Sequence, residues 1–261
     1  MGMKTIYHYI ISAPDAFQRR EQIEKNFIKF GIRPNFITAV MGNSLTKQEL
    51  QRYTAPHNIL NKGAIGCALS HEAIYHNLLE SKEPYVFVFE DDARITPEFI
   101  DELPGIIQFM NQMSEPLVLL LYKADAPTKK VFPMGKGKNI LHTLAGTAAH
   151  GYVINRKAAK NLLDVQMPLQ FEIDAWNIYY KLGYLKIYCT DTDLVFLDEK
   201  ASSHSVIEQV AGKNRVEDEL VKKYKQEHFM NLYRQYSLWQ RGILQIKRVE
   251  RHIRELYYDK E

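Results

Sequence analysis

Tyr85-Val-Phe-Val-Phe-Glu-Asp-Asp92 decides how the rest of the chain is read. Five apolar residues, β-branched or aromatic, run straight into three carboxylates. A run this short and this apolar, entered from Pro84, predicts a buried strand. The acids then sit at its C-terminal end, the edge where open α/β sheets bind ligands. Side chains alternate along extended backbone, so Glu90 and Asp92 are expected to face one way and Asp91 the other. Two carboxylates on one side of a strand end suit a hard divalent cation and a diphosphate. A solvated strand end is the plainer reading of the same acids.

Upstream, Gly63-Ala-Ile-Gly-Cys-Ala-Leu-Ser-His71 opens a helical stretch to about Ser81, with Ser70 and His71 expected near its start. Thr5–Ile11 reads as a first strand. Asp15 is placed to cap a helix that carries Ile23, Phe27 and Phe30 on one face and stops at Gly31. Asn35–Val40 reads as a second strand and Thr46–Tyr53 as a short helix. Downstream, Thr96 caps a helix with Pro97 in its first turn. Leu117–Tyr122 is a strand, and residues 123–140 form a long loop or hairpin. Ala148–Ile154 is a strand, Asn155 caps a helix to Leu163, and Asp174 caps one to Leu182. Leu185–Cys189 and Leu194–Leu197 close the series as late strands.

This alternation predicts an α/β fold with a mostly parallel central sheet. No Gly-x-Gly-x-x-Gly follows the first strand, so a classical dinucleotide domain is not supported. Gly135-Lys-Gly137 lacks a strand-to-helix context and reads as a turn rather than a phosphate loop.

With 261 residues and 46% hydrophobic content the chain can bury a sizeable core. It holds no apolar window of about 18 residues, so no membrane span is predicted. Its start does not read as a secretory signal. Cys67 and Cys189 are too few for a disulfide framework and lack metal-like spacing. The expected location is therefore the cytoplasm. Charge is uneven: residues 211–261 hold 12 Lys+Arg against 8 Asp+Glu, and the rest of the chain is near neutral. We divide the chain accordingly into an α/β domain, 1–210, and a basic helical tail, 211–261.

Six ordered blocks together resemble glycosyltransferase family 25, the lipopolysaccharide and lipooligosaccharide galactosyl- and glucosyltransferases. They are Ile10-Ile-Ser-Ala13 with Arg19-Arg20, then Gly63 to His71, then Pro84 to Asp92. Gly146-Thr-Ala-Ala-His-Gly-Tyr-Val-Ile-Asn-Arg-Lys-Ala158 follows, then the Asp174 region, then Ser205-Val-Ile-Glu208. The resemblance covers about residues 4–210. Ala64 stands where many members carry an acid, His150 looks inserted in the Gly-Thr-Ala block, and the metal motif is Glu90-Asp91-Asp92 rather than a strict Asp-x-Asp.

The resemblance implies a GT-A fold, a UDP-hexose donor, Mn²⁺ or Mg²⁺, and inverting transfer of galactose or glucose to a lipid-linked glycan acceptor. On that basis Asp92, with Glu90 and His204, is the expected metal set, with Asp191, Asp193 and Asp198 competing for the place of His204. Ser12, Arg19, Arg20, Ser70, His71, Glu90, Asp91, Gly146 and Thr147 are the expected donor-site residues. One arginine of the pair suits a phosphate or carboxylate. Gly146 lets backbone approach the donor closely. Inversion calls for a general base, for which Asp174 stands first and Glu172 second. A simple helix cap is the rival reading of Asp174. The rival functions are a metal-dependent phosphohydrolase and a non-catalytic nucleotide-sugar-binding protein. The first lacks the nucleophile or extra histidines it needs; the second keeps the same fold residues.

In the tail, Leu232, Tyr236, Trp239, Ile243, Ile246, Ile253 and Tyr257 recur at helical spacing, broken by Glu250. Six Lys/Arg lie from Arg234 to Arg254. The pattern suits a helix lying on an anionic membrane surface, peripheral on the inner face of the cytoplasmic membrane. Packing on the catalytic region, or pairing into a homodimer, fits the same stripe. No nucleic-acid partner is expected.

Overall fold

The computed structural model describes residues 5–198 and 215–258. The chain runs β1 (His8–Ser12), α1 (Phe17–Lys29), β2 (Phe36–Thr38), α2 (Lys47–Tyr53), α3 (Lys62–Glu80) and β3 (Tyr85–Glu90). It continues with β4 (Ala93–Ile95), α4 (Pro97–Gln112), β5 (Leu117–Leu120), β6 (Pro127–Pro133), β7 (Asn139–Thr143) and β8 (Gly151–Asn155). Then come α5 (Arg156–Gln166), α6 (Trp176–Lys181), β9 (Lys186–Thr190), β10 (Val195–Leu197), α7 (Arg215–Gln235) and α8 (Leu238–Tyr258).

Eight strands form one sheet in the order β2-β1-β3-β8-β5-β9-β7-β6. Six point one way; β8 and β7 run against them, so the sheet is mostly of one direction but contains antiparallel pairs. Residues 123–140 supply the β6–β7 hairpin, the hairpin alternative of the sequence reading. β4 and β10 form a separate two-stranded ribbon beside Asp92.

Both faces of the sheet are covered, which is why β3 carries no polar residue before its last position. Val86 and Val88 pack into the layer formed with α3 and α5. Phe87 and Phe89 pack into the opposite layer with Phe27 of α1 and Phe99 of α4. All four are at most 1% exposed. Truncating either phenylalanine to alanine removes about 3–5 kcal/mol, the usual cost for a buried aromatic.

Two expected caps fail. Helix α1 is entered through Ala16, with no side-chain cap from Asp15. Helix α6 is entered through Ala175, and the Asp174 carboxylate is engaged elsewhere. Thr46, Thr96 and Asn155 do cap their helices through side-chain oxygens. Helix α3 begins earlier than expected, at Lys62, because Asn61 accepts from Ala64 N at 2.8 Å. Ser70 and His71 therefore lie mid-helix and buried, not at a helix start.

Helix α7 packs on the catalytic core. Leu232 is 7% exposed, the Tyr236 hydroxyl donates to Leu182 O at 2.8 Å, and His228 Nδ1 lies 3.1 Å from Gln170 Oε1. The stripe read in the tail is thus divided. Leu232 and Tyr236 face the core, whereas Trp239 and Ile246 of α8 are 78% and 62% exposed. Ile253 and Tyr257 lie outside the side chains the structure describes, and the 210/211 boundary falls among residues it does not describe.

Candidate active site

Glu90 continues the Val86–Val88 row and so points toward α3. There its Oε1 lies 3.3 Å from His71 Nε2, and His71 Nδ1 is 2.8 Å from the Tyr152 hydroxyl. Tyr152 in turn bonds Tyr75 at 2.7 Å. His71 is fully buried, so it orients Glu90 from behind. Burial pushes the Glu90 carboxyl up, but the His71 hydrogen bond and the charges of His71, His150 and Arg19 outweigh it, and the net shift is downward.

After Glu90 the strand ends, and the next two acids diverge. Asp91 turns to Arg19, whose Nη1 is 3.3 Å from Oδ1, and accepts from Ala13 N at 3.3 Å. Burial keeps the Asp91 pKa raised despite these partners. The Asp92 carboxyl is pushed up to about 7, by burial first and then by the charges of Glu90 and Asp91. Its Oδ1 is buried without a hydrogen-bond partner among the described residues.

Two cavities meet on this edge. The first, of ≈ 140 Å³, lies between the ends of β1 and β2, the turn at Gly42, and α3; Arg19, Ser70, His71 and all three acids line it. The second, of ≈ 710 Å³, lies beneath residues 146–150 and the turn before α6; Glu172, Asp174, Asn177 and Lys225 line it. Cys67, Glu90 and Asp92 line both. The walls follow from topology. β8 runs antiparallel to β3 and pairs Gly151 with Phe89, so the segment entering β8 arrives beside the acids.

Close packing fixes the first cavity. A Cβ on Gly66 would stand 2.4 Å from Val40 O, and one on Gly42 would stand 1.6 Å from Lys62 O. Ser70 Oγ accepts from Val40 N at 2.8 Å and donates to Gly66 O at 2.7 Å, tying the β2 exit to α3.

In the second cavity Asp174 Oδ2 accepts from Ala148 N at 3.0 Å. Burial raises its pKa; the Ala148 bond opposes this, and the charges of Glu172 and Glu90 add to it. Glu172 Oε1 pairs with Lys225 Nζ at 2.8 Å, while its Oε2 is buried and unpartnered. His150 stacks on Tyr122 with ring centroids 4.3 Å apart, and its Nδ1 is also buried without a partner. Gly146 N donates to Asn177 Oδ1 at 3.1 Å, and a Cβ there would meet Leu120 at 2.5 Å.

The expected residues thus converge, with exceptions. Arg20 does not line either cavity; its guanidinium lies over the Phe36 ring, 4.2 Å from the centroid. Ser12 is buried behind the first cavity, next to Asp91. Glu90 and Asp92 share both cavities, yet Asp91 also reaches the first, so the strict alternation expected of an extended chain ends with the strand. His204 lies outside the described residues. Of its rivals, Asp191 accepts from Asn139, Asp193 from Lys123 N, and Asp198 pairs with Arg94. Cys67, Asn177 and Lys225 were not read from the sequence as site residues. His150 was noticed only as an insertion.

A divalent cation fits this edge. Mg²⁺-type ions are held by one or two carboxylates plus substrate phosphates. Asp92 offers a buried oxygen with no partner among the described residues, and burial, then the charges of Glu90 and Asp91, raise its pKa.

The model of glycosyltransferase family 25, a family of lipopolysaccharide biosynthesis proteins, matches residues 5–176. The chain belongs to glycosyltransferase family 25. It is 27% identical over 164 residues to the lipooligosaccharide biosynthesis protein lic2B of Haemophilus influenzae, across 59% of this chain and 61% of that protein. It is also 27% identical over 168 residues to LgtB of Neisseria meningitidis, a lacto-N-neotetraose biosynthesis glycosyltransferase, across 60% of each. The chain thus spans about three fifths of these bacterial relatives. Among solved structures, the glycosyltransferase GlyE of Streptococcus pneumoniae aligns with a TM-score of 0.40 at 10% identity, over 88% of this chain and 62% of that one.

Proposed function

We propose that this family 25 chain is an inverting transferase. It moves a hexose, galactose or glucose, from a UDP-sugar to a hydroxyl of a lipooligosaccharide or lipopolysaccharide glycan. The observation that carries the reading is a set of buried polar atoms in one cleft that have no partner among the described residues. Asp92 Oδ1, His150 Nδ1 and Glu172 Oε2 all belong to residues lining the second cavity. Buried polar groups are normally paired, and a hydroxyl-rich ligand pairs several at once.

In this reading the nucleotide occupies the cavity bounded by β1, β2 and α3, with Arg19 and the acids beside its diphosphate. Asp92 and Glu90 hold Mn²⁺ or Mg²⁺, which neutralises charge developing on the leaving diphosphate. His71 keeps Glu90 ionised and oriented. Asp174 accepts the proton of the attacking acceptor hydroxyl, and its raised pKa suits a base working near neutral pH. Glu172 fixes neighbouring acceptor hydroxyls. The residues hold donor and acceptor on opposite sides of the Glu90–Asp92 pair, as an in-line attack needs.

Attachment to an anionic membrane surface in the cytoplasm, where a lipid-linked acceptor lies, is assigned to α8. Its Leu238, Trp239 and Val249 are 83%, 78% and 58% exposed, beside Arg241 and Arg248. No helix among the described residues is long and apolar enough to cross a membrane.

The test is a donor screen that measures UDP released from each UDP-hexose with Mn²⁺ and a soluble glycan acceptor. One UDP-hexose should be consumed, and Asp92→Asn should abolish its consumption. Absence of turnover with every donor, while UDP still binds, would favour the non-catalytic binding protein.

A further inference from the structure

The floor shared by the two cavities carries a second kind of metal chemistry. Among the described residues, Cys67, His71 and Glu90 bring a thiol sulfur, an imidazole nitrogen and a carboxylate oxygen within 4.8 Å of one another. We propose that these three side chains form a binding site for a thiophilic divalent cation of the Zn²⁺ class, and that its occupancy blocks sugar transfer.

The donor set is the first argument. Hard ions such as Mn²⁺ and Mg²⁺ take oxygen ligands, whereas a mixed sulfur, nitrogen and oxygen set selects Zn²⁺. Spacing is the second. Zinc ligands at about 2.0–2.2 Å in tetrahedral array stand about 3.3 Å apart for a nitrogen–oxygen pair. His71 Nε2 and Glu90 Oε1 are 3.3 Å apart, long for a hydrogen bond and suited to an ion between them. Cys67 sits one helical turn before His71 on α3, so both project from one face of one rigid element.

Support behind the ligands is the third argument. A zinc-bound histidine is oriented by a hydrogen bond on its other ring nitrogen. His71 Nδ1 has that bond, 2.8 Å to the Tyr152 hydroxyl, and Tyr152 is anchored by Tyr75. Zn²⁺ takes Nε2 in place of the proton shared with Glu90, and the ring proton then sits on Nδ1, donating to the Tyr152 hydroxyl. The thiol loses its proton to solvent on binding, and a fourth position opens to the clefts, because Cys67 and Glu90 line both of them.

Binding of the ion stands independently of the reaction; only its effect on transfer rests on the proposed function. Glu90 cannot serve this ion and the donor's hard cation together, so Zn²⁺ acts as an inhibitor.

The experiment titrates the full chain with Zn²⁺ alone, by equilibrium dialysis, and with Co²⁺ as a spectroscopic probe. Wild type should bind one Zn²⁺ per chain, and Co²⁺ should give the near-ultraviolet thiolate charge-transfer band. Cys67→Ser should lose that band and bind Zn²⁺ at least tenfold more weakly. Tyr152→Phe should keep the band and weaken Zn²⁺ by about 10–100-fold, the usual effect of removing an orienting partner. No saturable Zn²⁺ uptake, or a Co²⁺ complex without the thiolate band, overturns the site. In turnover assays Zn²⁺ should inhibit wild type, and Cys67→Ser, relative to its own zinc-free rate, should be less inhibited. Binding without inhibition would overturn the blocking role while leaving the site intact.

Discussion

Lys225, carried by a helix beyond residue 214, places its Nζ 2.8 Å from Glu172 Oε1 at the wall of the larger cavity. The C-terminal region is therefore part of the site and not merely appended to it. Lys225→Met should free Glu172 and lower kcat/KM for the acceptor by about fivefold, equivalent to the ~1 kcal/mol expected of a half-exposed pair. It should also move the acid limb of the pH profile upward. Removing a cation leaves the Glu172 charge uncompensated beside Asp174, and that charge already raises the Asp174 pKa. Donor hydrolysis without acceptor should be unchanged.

Asp174→Asn should leave UDP binding intact and lower kcat by about 10²–10⁴, the usual range for general-base catalysis. The helix-cap explanation of this residue makes a different forecast, a loss of stability alone. That explanation is weak here, because the carboxylate accepts from Ala148 N and not from the first turn of α6.

Asp92 links pH to stability, and the proposed metal to both. Its folded pKa of about 7 lies above the ordinary 3.8, so its contribution to stability is fully present below the unfolded value and is lost as pH rises through about 7. In metal-free buffer Asp92→Asn should therefore raise the melting temperature at pH 8 and change it little at pH 4. Added Mn²⁺ should raise the melting temperature of wild type at pH 8 and not that of the variant. Equal Mn²⁺ responses in both proteins would remove Asp92 from the metal set.

Gly66→Ala should be costly despite the high helix propensity of alanine. The new Cβ would stand 2.4 Å from Val40 O, backbone that cannot swing aside. Thermal unfolding should report a loss of at least about 1–3 kcal/mol, the range for overpacking. UDP affinity should fall with it, because the displaced loop lines the smaller cavity.

Glu72 makes a separate test of burial. It is 3% exposed, neither carboxylate oxygen has a hydrogen-bond partner, and burial pushes its pKa up to about 8. The raised value means that its ionisation works against folding as pH climbs through about 8. Glu72→Met, of similar length and apolar, should stabilise the fold by about 1–3 kcal/mol, the cost of an unsatisfied buried polar group. The gain should grow from pH 6 to pH 9.

What the sequence made legible was local. Tyr85–Glu90 announced itself by composition, and Thr46, Thr96 and Asn155 by cap chemistry next to an apolar run. The acids at the strand end followed from those. What it hid was decided by contacts distant in sequence. Asp174 sits where a cap belongs, but Ala148, far away in the chain, presents the N–H it takes. Ser70 and His71 were expected near the start of the helix although the stretch was read from Gly63, and the helix that begins at Lys62 puts them two turns in. Gly63 and Gly66 lie inside the helix, Gly66 where β2's exit loop crosses it. Arg19 and Arg20 are adjacent, and only the tertiary position of Asp91 separates their roles. Nothing near Lys225 hints at Glu172. A helix of mixed charge is all that its own neighbourhood describes.

The reversed direction of β8 has a consequence for how such a protein can diversify. Because β8 opposes β3, the stretch that enters it, residues 146–150, walls only the larger cavity, together with the turn before α6 and a residue of α7. The smaller cavity draws instead on β1, the exit of β2 with the packed turn at Gly42, and Gly63, Ser70 and His71 of α3. Apart from Cys67, Glu90 and Asp92 the two walls share no residue, although both touch the first turn of α3, through Gly63 and Ala64. A change in residues 146–150 therefore reaches the larger cavity and not the smaller one, except through the three shared residues. The two sides of the cleft can in that sense be altered one at a time, and an exchange of residues 146–150 is the natural way to alter the larger alone.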